Sequence, residues 1–242
     1  MDFFYFTGIG TVINFFAILF GGIIGLFGGK FFKEKMRETL KISCAIVVIF
    51  IGLAGTLSKM FQVQSDGTIK TDGEILLIVS LIFGGILGEI IDIDKRFENF
   101  GTWLKKKSGN DGDTKFVDAF VTASLTVCIG AMAIIGAIND RIFHDPTILI
   151  AKSALDAIII LIMTASLGKG SIFSCVSVGI FQGAITFFAG FIEPFMTEIA
   201  LKNLSCVGNV LIFCVGLNLL FENKIRVANL LPAILIAVFW KS

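Results

Sequence analysis

A lysine and an aspartate lie one helical turn apart inside an apolar stretch of the sequence. In TILIAKSALDAIIILIM, Lys152 and Asp156 are four residues apart, so a helix places them on one face, where they can pair. A charged group deep in lipid is costly and normally faces protein or water. The two are therefore the first candidates for a substrate or ion pathway. Two structural alternatives stay open: a neutralised pair that locks helices together, or a Lys152 that reaches the outer interface.

Four further polar residues are candidates for the same pathway. Asn139 and Asp140 precede this stretch in GAINDRIFHDP, where a polar loop can coordinate an ion or form a vestibule. The alternative is a solvated turn in which Asp145 caps the next helix. Asn14 and Gln182 carry amides that can hydrogen-bond across helices, and they flank the two starts of a repeat described below.

The composition shows what must position these groups. Of the 242 residues, 55% are hydrophobic and 16% are charged, and the mean hydropathy is +0.91. A soluble domain carries about 25% charged residues, so the excess apolar surface indicates a lipid bilayer. The sequence predicts an all-α, polytopic membrane protein with seven or eight transmembrane helices. The net charge of +1 argues against a nucleic-acid partner.

The residues with the strongest metal and redox chemistry are few and scattered. The only histidine is His144, and the cysteines lie in apolar segments without CxxC spacing: Cys44, Cys128, Cys175, Cys206 and Cys214. No HExxH, GxSxG or Walker A motif is present. We therefore expect no metal centre, no cofactor and no enzymatic activity.

Apolar runs between charged or turn-forming breaks define the expected spans. The N-terminus lacks the basic region of a signal peptide, so the first run is read as a retained span. The last run is short and contains Pro232, so we expect that it crosses the bilayer incompletely or at a tilt. The predicted spans are 8–29, 42–61, 73–92, 116–138, 147–168, 171–192, 203–221 and 227–240.

The basic residues predict the orientation, since positively charged loops stay cytoplasmic. One side holds Lys30, Lys33, Lys35, Arg37, Lys41, Lys95, Arg96, Lys105, Lys106, Lys107, Lys115, Lys169, Lys224 and Arg226. The other holds Lys59, Lys70, Arg141, Lys202 and Lys241. The N-terminus is thus expected on the outer side of the membrane, and Lys152 belongs to neither side.

Two basic segments on the inner side contain interleaved apolar residues. They are KFFKEKMRETLK and IDKRFENFGTWLKKK, which we interpret either as amphipathic helices along the inner leaflet or as extensions of spans. Just before the second segment, Glu89, Asp92 and Asp94 precede Lys95 and Arg96. We expect these five charges to form a solvated salt-bridge cluster.

The two ends of the chain resemble each other. GTVINFF and the following FFKEKMRETLKISCAIVVIFIGLAGTL match GAITFF and PFMTEIALKNLSCVGNVLIFCVGLNLL, which pairs Gly52 with Gly216. The alternative is compositional similarity between apolar helices. A duplication separated by five crossings is inverted, a feature typical of transporters and channels. We predict one transmembrane domain over 1–242, with repeats 8–92 and 171–240 around central helices 116–168.

Glycines recur every four residues in two of the spans. Such small faces let other helices approach closely, within one chain or between two chains. Helix packing and homodimer formation are the expectations that follow. The glycines are Gly21, Gly25, Gly29, Gly84 and Gly88.

Motifs along nearly the whole chain permit a family comparison. In order, they are GTVIN, LFGGIIG, FGGILGEIIDIDKRFENFG, CIGAMAIIGAIND, DPTILIAKSALDA, ASLGKGSIFS, GNVLIFCVGLNLL and NLLPAIL. This order resembles the YdfK/YqgA-type bacterial membrane proteins, a family of unknown function. The resemblance implies a bacterial plasma-membrane location and a transport-like role, but no substrate.

Two functional hypotheses follow from these patterns. The first is a transporter or channel for a small solute or ion, with Lys152 and Asp156 at its centre. The second is a membrane scaffold or regulatory subunit that transports nothing, and it predicts a stable complex with another protein.

Overall fold

The structure is a computed structural model that describes residues 7–64, 66–129, 131–221 and 225–240. Segment 1–6, which the signal-peptide argument used, lies outside the described residues. Lys224 and Lys241, which entered the orientation count, also lie outside them.

The described residues form a helical protein with one small hairpin, as the composition predicted. The α-helices are α1 (Ile9–Gly29), α2 (Glu34–Met60), α3 (Glu74–Ile91), α4 (Ile93–Lys107), α5 (Phe116–Cys128), α6 (Ala131–Ile142), α7 (Thr147–Leu167), α8 (Ser174–Ile192), α9 (Glu198–Phe221) and α10 (Pro232–Phe239). Short 3₁₀ helices flank α8, Lys169–Phe173 before it and Glu193–Phe195 after it, and a third, Val227–Leu230, precedes α10.

Among the described residues, six helical segments are long and apolar enough to cross a membrane, and the number is seven if one bent pair counts as a span. The predicted span 116–138 is that pair: α5 ends at Cys128, α6 begins at Ala131, and the two are bent by 60°. The predicted last span is shorter than a crossing. It consists of the 3₁₀ turn and α10, with Pro232 at the helix start, where its missing N–H leaves no intrahelical bond unmade.

The two basic segments predicted on the inner side form different structures. The first is largely the beginning of α2, which starts at Glu34 and continues without a break into the span. The second is the separate amphipathic helix α4. Between α2 and α3, strands β1 (Phe61–Val63) and β2 (Ile69–Thr71) pair antiparallel. The sequence analysis missed this hairpin, because three-residue strands carry too little periodicity to be detected.

The chain divides into two compact units. The first contains α1, the start of α2, most of α4, and α5 to α8. The second contains the rest of α2, the hairpin, α3, α9 and α10.

Within the first unit, α1 packs along α7 through its glycines. A Cβ on Gly21 would collide with the backbone of Ala157, and one on Gly25 with that of Leu161. Gly29 meets Ala165 in the same way, with the α-carbon 3.0 Å from the Cβ position. The glycines of α1 and the residues they contact on α7 both increase in steps of four, so α1 and α7 run parallel.

In the second unit, α3 uses its glycines in the opposite sense. Gly84 lies against Ala233, and Gly88 lies against the backbone of Asn229. The residue numbers rise from Gly84 to Gly88 while those of their contacts fall from Ala233 to Asn229, so α3 and the C-terminal segment run antiparallel.

The long helices carry large exposed apolar side chains, including Phe20, Ile90, Phe187 and Phe191, as a lipid-facing surface requires.

Candidate functional site

The first unit contains a buried ion pair on α7. The Nζ of Lys152 lies 2.5 Å from Oδ2 of Asp156, and the two residues are 7% and 4% exposed. The side chain of Lys152 therefore points to protein rather than to the outer interface, so the interfacial alternative is wrong. Asp156 follows the first residue of α7 by nine positions, about 14 Å at 1.5 Å per residue. The pair thus lies near the middle of a spanning helix.

Two neighbouring helices add amides to this pair. Asn14 of α1 donates from Nδ2 to Oδ2 of Asp156 at 3.0 Å and to Oε1 of Gln182 at 3.3 Å. Gln182 lies near the middle of α8, and both amides are fully buried. We call Asn14, Lys152, Asp156 and Gln182 the buried polar cluster. The structure thus brings together four of the six predicted pathway residues.

A backbone carbonyl completes the surroundings of Lys152. Its Nζ donates to the carbonyl oxygen of Val127 at 2.8 Å. Val127 is the next to last residue of α5, and carbonyls in the last turn of a helix lack intrahelical partners and carry the negative end of the helix dipole. The break after α5 therefore exposes an acceptor at the cluster. The sequence analysis did not identify Val127, because a backbone carbonyl gives no side-chain signal in the sequence.

Hydroxyl pairs link the same helices. The Oγ atoms of Ser124 on α5 and Ser177 on α8 lie 2.9 Å apart, and the Oγ1 atoms of Thr11 on α1 and Thr186 on α8 lie 3.5 Å apart. All four residues are buried. The sequence analysis did not single them out, because short hydroxyl side chains are common in spans and gain meaning only when they meet.

Two polar atoms of the cluster have no hydrogen-bond partner among the described residues. They are Oδ1 of Asn14, an acceptor, and Nε2 of Gln182, a donor. Most buried polar side-chain atoms are hydrogen-bonded, and leaving one unpaired costs about 1–3 kcal/mol. The cluster therefore has spare capacity to both accept and donate a hydrogen bond.

The other two pathway candidates lie at the end of α6. Asp140 is fully buried, and its Oδ2 accepts a hydrogen bond from the backbone N–H of Gly10 at 3.0 Å. A carboxylate there stabilises the positive end of the α1 dipole. Asn139 is partly exposed, and its carbonyl accepts from the N–H groups of Phe143 and Asp145. These residues shape the start of α1 and the α6–α7 turn, one helical turn of α1 before Asn14.

Asp145 takes the capping role that the sequence analysis offered as an alternative. Its Oδ1 accepts from the N–H of Thr147 at 3.0 Å, at the first residue of α7. Hydrogen bonds from the Thr147 hydroxyl and N–H hold the pKa of Asp145 below its ordinary value. The adjoining His144 has a positive φ of 55°, which turns the chain into α7.

The second unit contains an exposed ionic cluster with a partner that the sequence analysis missed. Arg226 contacts three carboxylates, with 2.6 Å from Nη1 to Glu89, a shorter contact from Nη2 to Asp92, and 3.6 Å from Nε to Asp94. The expected cation Arg96 instead donates to the carbonyl of Ile91.

The amide of Asn229 completes this second cluster. Its Oδ1 accepts from the N–H of Asp94 at 2.7 Å, and its Nδ2 donates to Oε1 of Glu89 at 2.8 Å. We call Arg226, Glu89, Asp92, Asp94 and Asn229 the arginine cluster. Both heteroatoms of its buried amide are bonded.

A shallow pocket of about 240 Å³ also lies in the second unit, beside the hairpin. Lys59, Asp72, Lys202 and Trp240 are among its lining residues. Nζ of Lys202 lies 3.0 Å from Oδ2 of Asp72, and this hydrogen bond and charge hold the pKa of Asp72 below its ordinary value. The opposite charges of Lys202 and Asp72 neutralise each other where these side chains line the pocket.

Long apolar helices around a buried ion pair define a polytopic α-helical membrane protein. The chain belongs to the family described as protein of unknown function (DUF554), whose profile matches residues 9–242. This membership confirms the resemblance found from the motifs.

Two relatives cover nearly the whole chain. The uncharacterized membrane protein YdfK of Bacillus subtilis (strain 168) is 29% identical over 227 residues, which are 94% of this chain and 93% of the relative. The uncharacterized protein YqgA of Escherichia coli (strain K12) is 27% identical over 237 residues, which are 95% of this chain and 94% of the relative. No solved structure matches the chain.

Proposed function

We propose that this protein is a transporter or channel for a small solute or ion, with the buried polar cluster on its pathway. The observation that carries the proposal is a buried ion pair beside two amide atoms that find no hydrogen-bond partner among the residues the structure describes, near the middle of the helices. A cluster that served packing alone would be expected to satisfy its buried polar atoms. Spare hydrogen-bonding capacity beside a charge pair suits a passing polar solute or ion.

The interrupted span supports the same proposal. Transporters commonly build midplane sites from discontinuous helices, whose free carbonyls and helix ends face the cargo. Here the last turn of α5 presents the Val127 carbonyl to Lys152 at 2.8 Å. Non-helical backbone at membrane depth is tolerated where it lines a cavity or is buried in protein.

The parallel packing of α1 and α7 supports seven crossings. Two spanning helices that run in the same direction must have an odd number of crossings between them. Between α1 and α7 lie α2, α3 and the bent pair α5–α6, so the pair must count as one crossing. Together with the basic loops, this supports a multi-pass bacterial plasma-membrane protein whose N-terminus lies outside.

Two glycines support the inverted repeat. The repeat alignment equates Gly52 of α2 with Gly216 of α9. A Cβ on either glycine would meet two backbone atoms of the other helix: N of Phe213 and O of Asn209 for Gly52, and N of Ile49 and O of Ala45 for Gly216. In both cases these atoms belong to residues three and seven positions before the equivalent glycine. These contacts make α2 and α9 antiparallel, which is the relative direction that an inverted repeat requires of two equivalent helices.

Reconstitution into liposomes tests the proposal. Purified protein is sealed into liposomes, and uptake is measured across panels of labelled ions and small metabolites. We expect wild-type flux for at least one member, abolished in both Lys152→Met and Asp156→Asn. Lys202→Met is the matched control, because it removes a lysine from a half-exposed ion pair outside the cluster. Flux that survives both cluster substitutions, or its absence across all panels, contradicts the proposal, and a co-purifying protein would favour the scaffold alternative.

A further inference from the structure

The ammonium of Lys152 occupies a position built from oxygen ligands. Its Nζ contacts Oδ2 of Asp156 at 2.5 Å and the Val127 carbonyl at 2.8 Å. Carboxylate and free helix-end carbonyl oxygens are the groups with which transporters hold monovalent cations. A lysine ammonium carries the same single positive charge as such an ion.

Further oxygens belong to the same hydrogen-bonded cluster. Oδ1 of Asn14 is buried and unpartnered among the described residues, and Oε1 of Gln182 lies 3.3 Å from the Nδ2 of the same asparagine. The unpartnered Nε2 of Gln182 can donate to a water molecule that an incoming ion retains. The oxygens come from four helices, α1, α5, α7 and α8, all in the first unit.

The charge of the cluster limits the class of ion. Asp156 is the only carboxylate within the cluster, whereas sites for hard divalent cations use several. Across the described residues, no group of three or more His, Cys, Asp and Glu side chains is placed to hold a metal ion. One carboxylate with neutral oxygens matches a single positive charge.

We propose that the buried polar cluster is a binding site for a monovalent cation, of the alkali or ammonium type, for which Lys152 is a tethered competitor. The inference rests on the proposed function and names its substrate class. The lysine must leave Asp156 before an ion can enter, so the competent state is only a fraction of the molecules and the apparent affinity is reduced by that fraction. Removal of the lysine side-chain charge therefore increases the affinity for the ion.

Direct binding measurements on the detergent-solubilised full chain test this inference. Isothermal titrations use LiCl, NaCl, KCl and NH₄Cl, with choline chloride as the control for ionic strength and chloride. We expect saturable binding of at least one small cation, tighter by at least about tenfold in Lys152→Met, and none in Asp156→Asn. Lys152→Gln serves as a second variant if the methionine variant is not monodisperse, and Lys202→Met is expected to bind as the wild type does.

The outcomes separate this inference from the broader proposal. Absence of saturable binding in both Lys152 variants, or binding that persists in Asp156→Asn, overturns the cation site. If flux of another solute in liposomes still requires Asp156, the transporter proposal survives that result. Binding with the expected pattern, but with no flux in liposomes, supports the cation site and overturns transport. Heats in choline chloride equal to those in the other salts overturn the cation site as well.

Discussion

The buried polar cluster and the arginine cluster use similar side chains in opposite ways. Both combine a basic residue, at least one carboxylate and an amide. In the arginine cluster, the side chain of Arg226 is 45% exposed, and both heteroatoms of Asn229 are bonded. In the buried polar cluster, the charges are almost inaccessible, yet the amides keep one acceptor and one donor that have no partner in the described part of the chain.

The difference shows how to separate a structural charge cluster from a candidate site. Exposed ion pairs contribute little and need no special accommodation. Buried charges are costly, and removal of one partner leaves the other uncompensated. Unsatisfied polar atoms beside a buried pair therefore indicate a function that outweighs stability, whereas a fully bonded cluster at a surface indicates the anchoring of a chain segment.

The largest expected effect concerns the charges of Lys152 and Asp156. Each single variant, Lys152→Met or Asp156→Asn, leaves a buried group without its partner and is expected to lose about 3–5 kcal/mol of unfolding free energy. The double variant removes both charges and is expected to lie within about 1 kcal/mol of wild type. Thermal unfolding in detergent measures the stabilities, and liposome flux measures the activity. A stable double variant that still transports would reduce this pair to a packing feature.

A second prediction concerns the glycines through which α1 packs against α7, two of the helices that carry the buried polar cluster. Gly25→Ala places a methyl group against the Leu161 backbone, so a loss of about 1–3 kcal/mol is expected from overpacking. The matched control on the same helix is Gly28→Ala, where nothing lies within 4 Å of a Cβ. This control should be neutral or gain about 0.5–1 kcal/mol. Equal stabilities for the two variants would show that α1 and α7 do not pack as described.

The arginine cluster gives a smaller effect of a different kind. Arg226→Gln leaves three carboxylates without their shared cation, and it is expected to lower the unfolding free energy much less than either buried-pair variant does, because this cluster is exposed. Flux per folded molecule should stay unchanged. Arg96→Gln is the control, because the hydrogen bond that the structure describes for Arg96 goes to a backbone carbonyl and not to a carboxylate. We expect Arg96→Gln to lower the unfolding free energy less than Arg226→Gln does. If Arg226→Gln reduced the flux without lowering the stability, the arginine cluster would also have a functional role, and the proposed difference between the two clusters would be wrong.

The smallest effect belongs to the ion pair of Asp72 and Lys202. Because the pKa of Asp72 is lowered in the folded state, its contribution is fully present above the unfolded pKa of about 3.9 and disappears as the pH falls through the lower folded value. Both side chains are more than a third exposed, so the contribution should be under about 1 kcal/mol. The stability difference between wild type and Asp72→Asn, measured from pH 7 to pH 3, should be constant above the unfolded pKa and shrink as the pH falls below it. A difference that stays the same down to pH 3 would contradict this assignment.

Local spacing explains what could be predicted from the sequence. The span of α7 ends within one residue of its expected boundary, because an uninterrupted apolar run lies between Pro146 and Gly168. The pairing of Lys152 and Asp156 was also predictable, because a four-residue spacing determines that contact on a helix. The helical extension of α2 was not resolved, since a basic amphipathic segment can continue a span or lie apart from it.

Contacts between distant segments were beyond the same reasoning. Arg226 meets Glu89 across 137 positions of sequence, and no local pattern distinguishes it from the nearer Arg96. The Val127 carbonyl was equally hidden, because a backbone acceptor becomes available only where a helix stops. Which buried amides are left without partners depends on the tertiary arrangement alone.

Accessibility of the buried polar cluster to water tests the central claim most directly. In Gln182→Cys, a membrane-impermeant thiol reagent is applied to intact vesicles, and peptide mass spectrometry locates the adduct. The control is Leu211→Cys, another fully buried position of a spanning helix. The account predicts modification at position 182 and none at position 211. Equal inertness at both positions would mean that the cluster is sealed between helices and lies on no pathway.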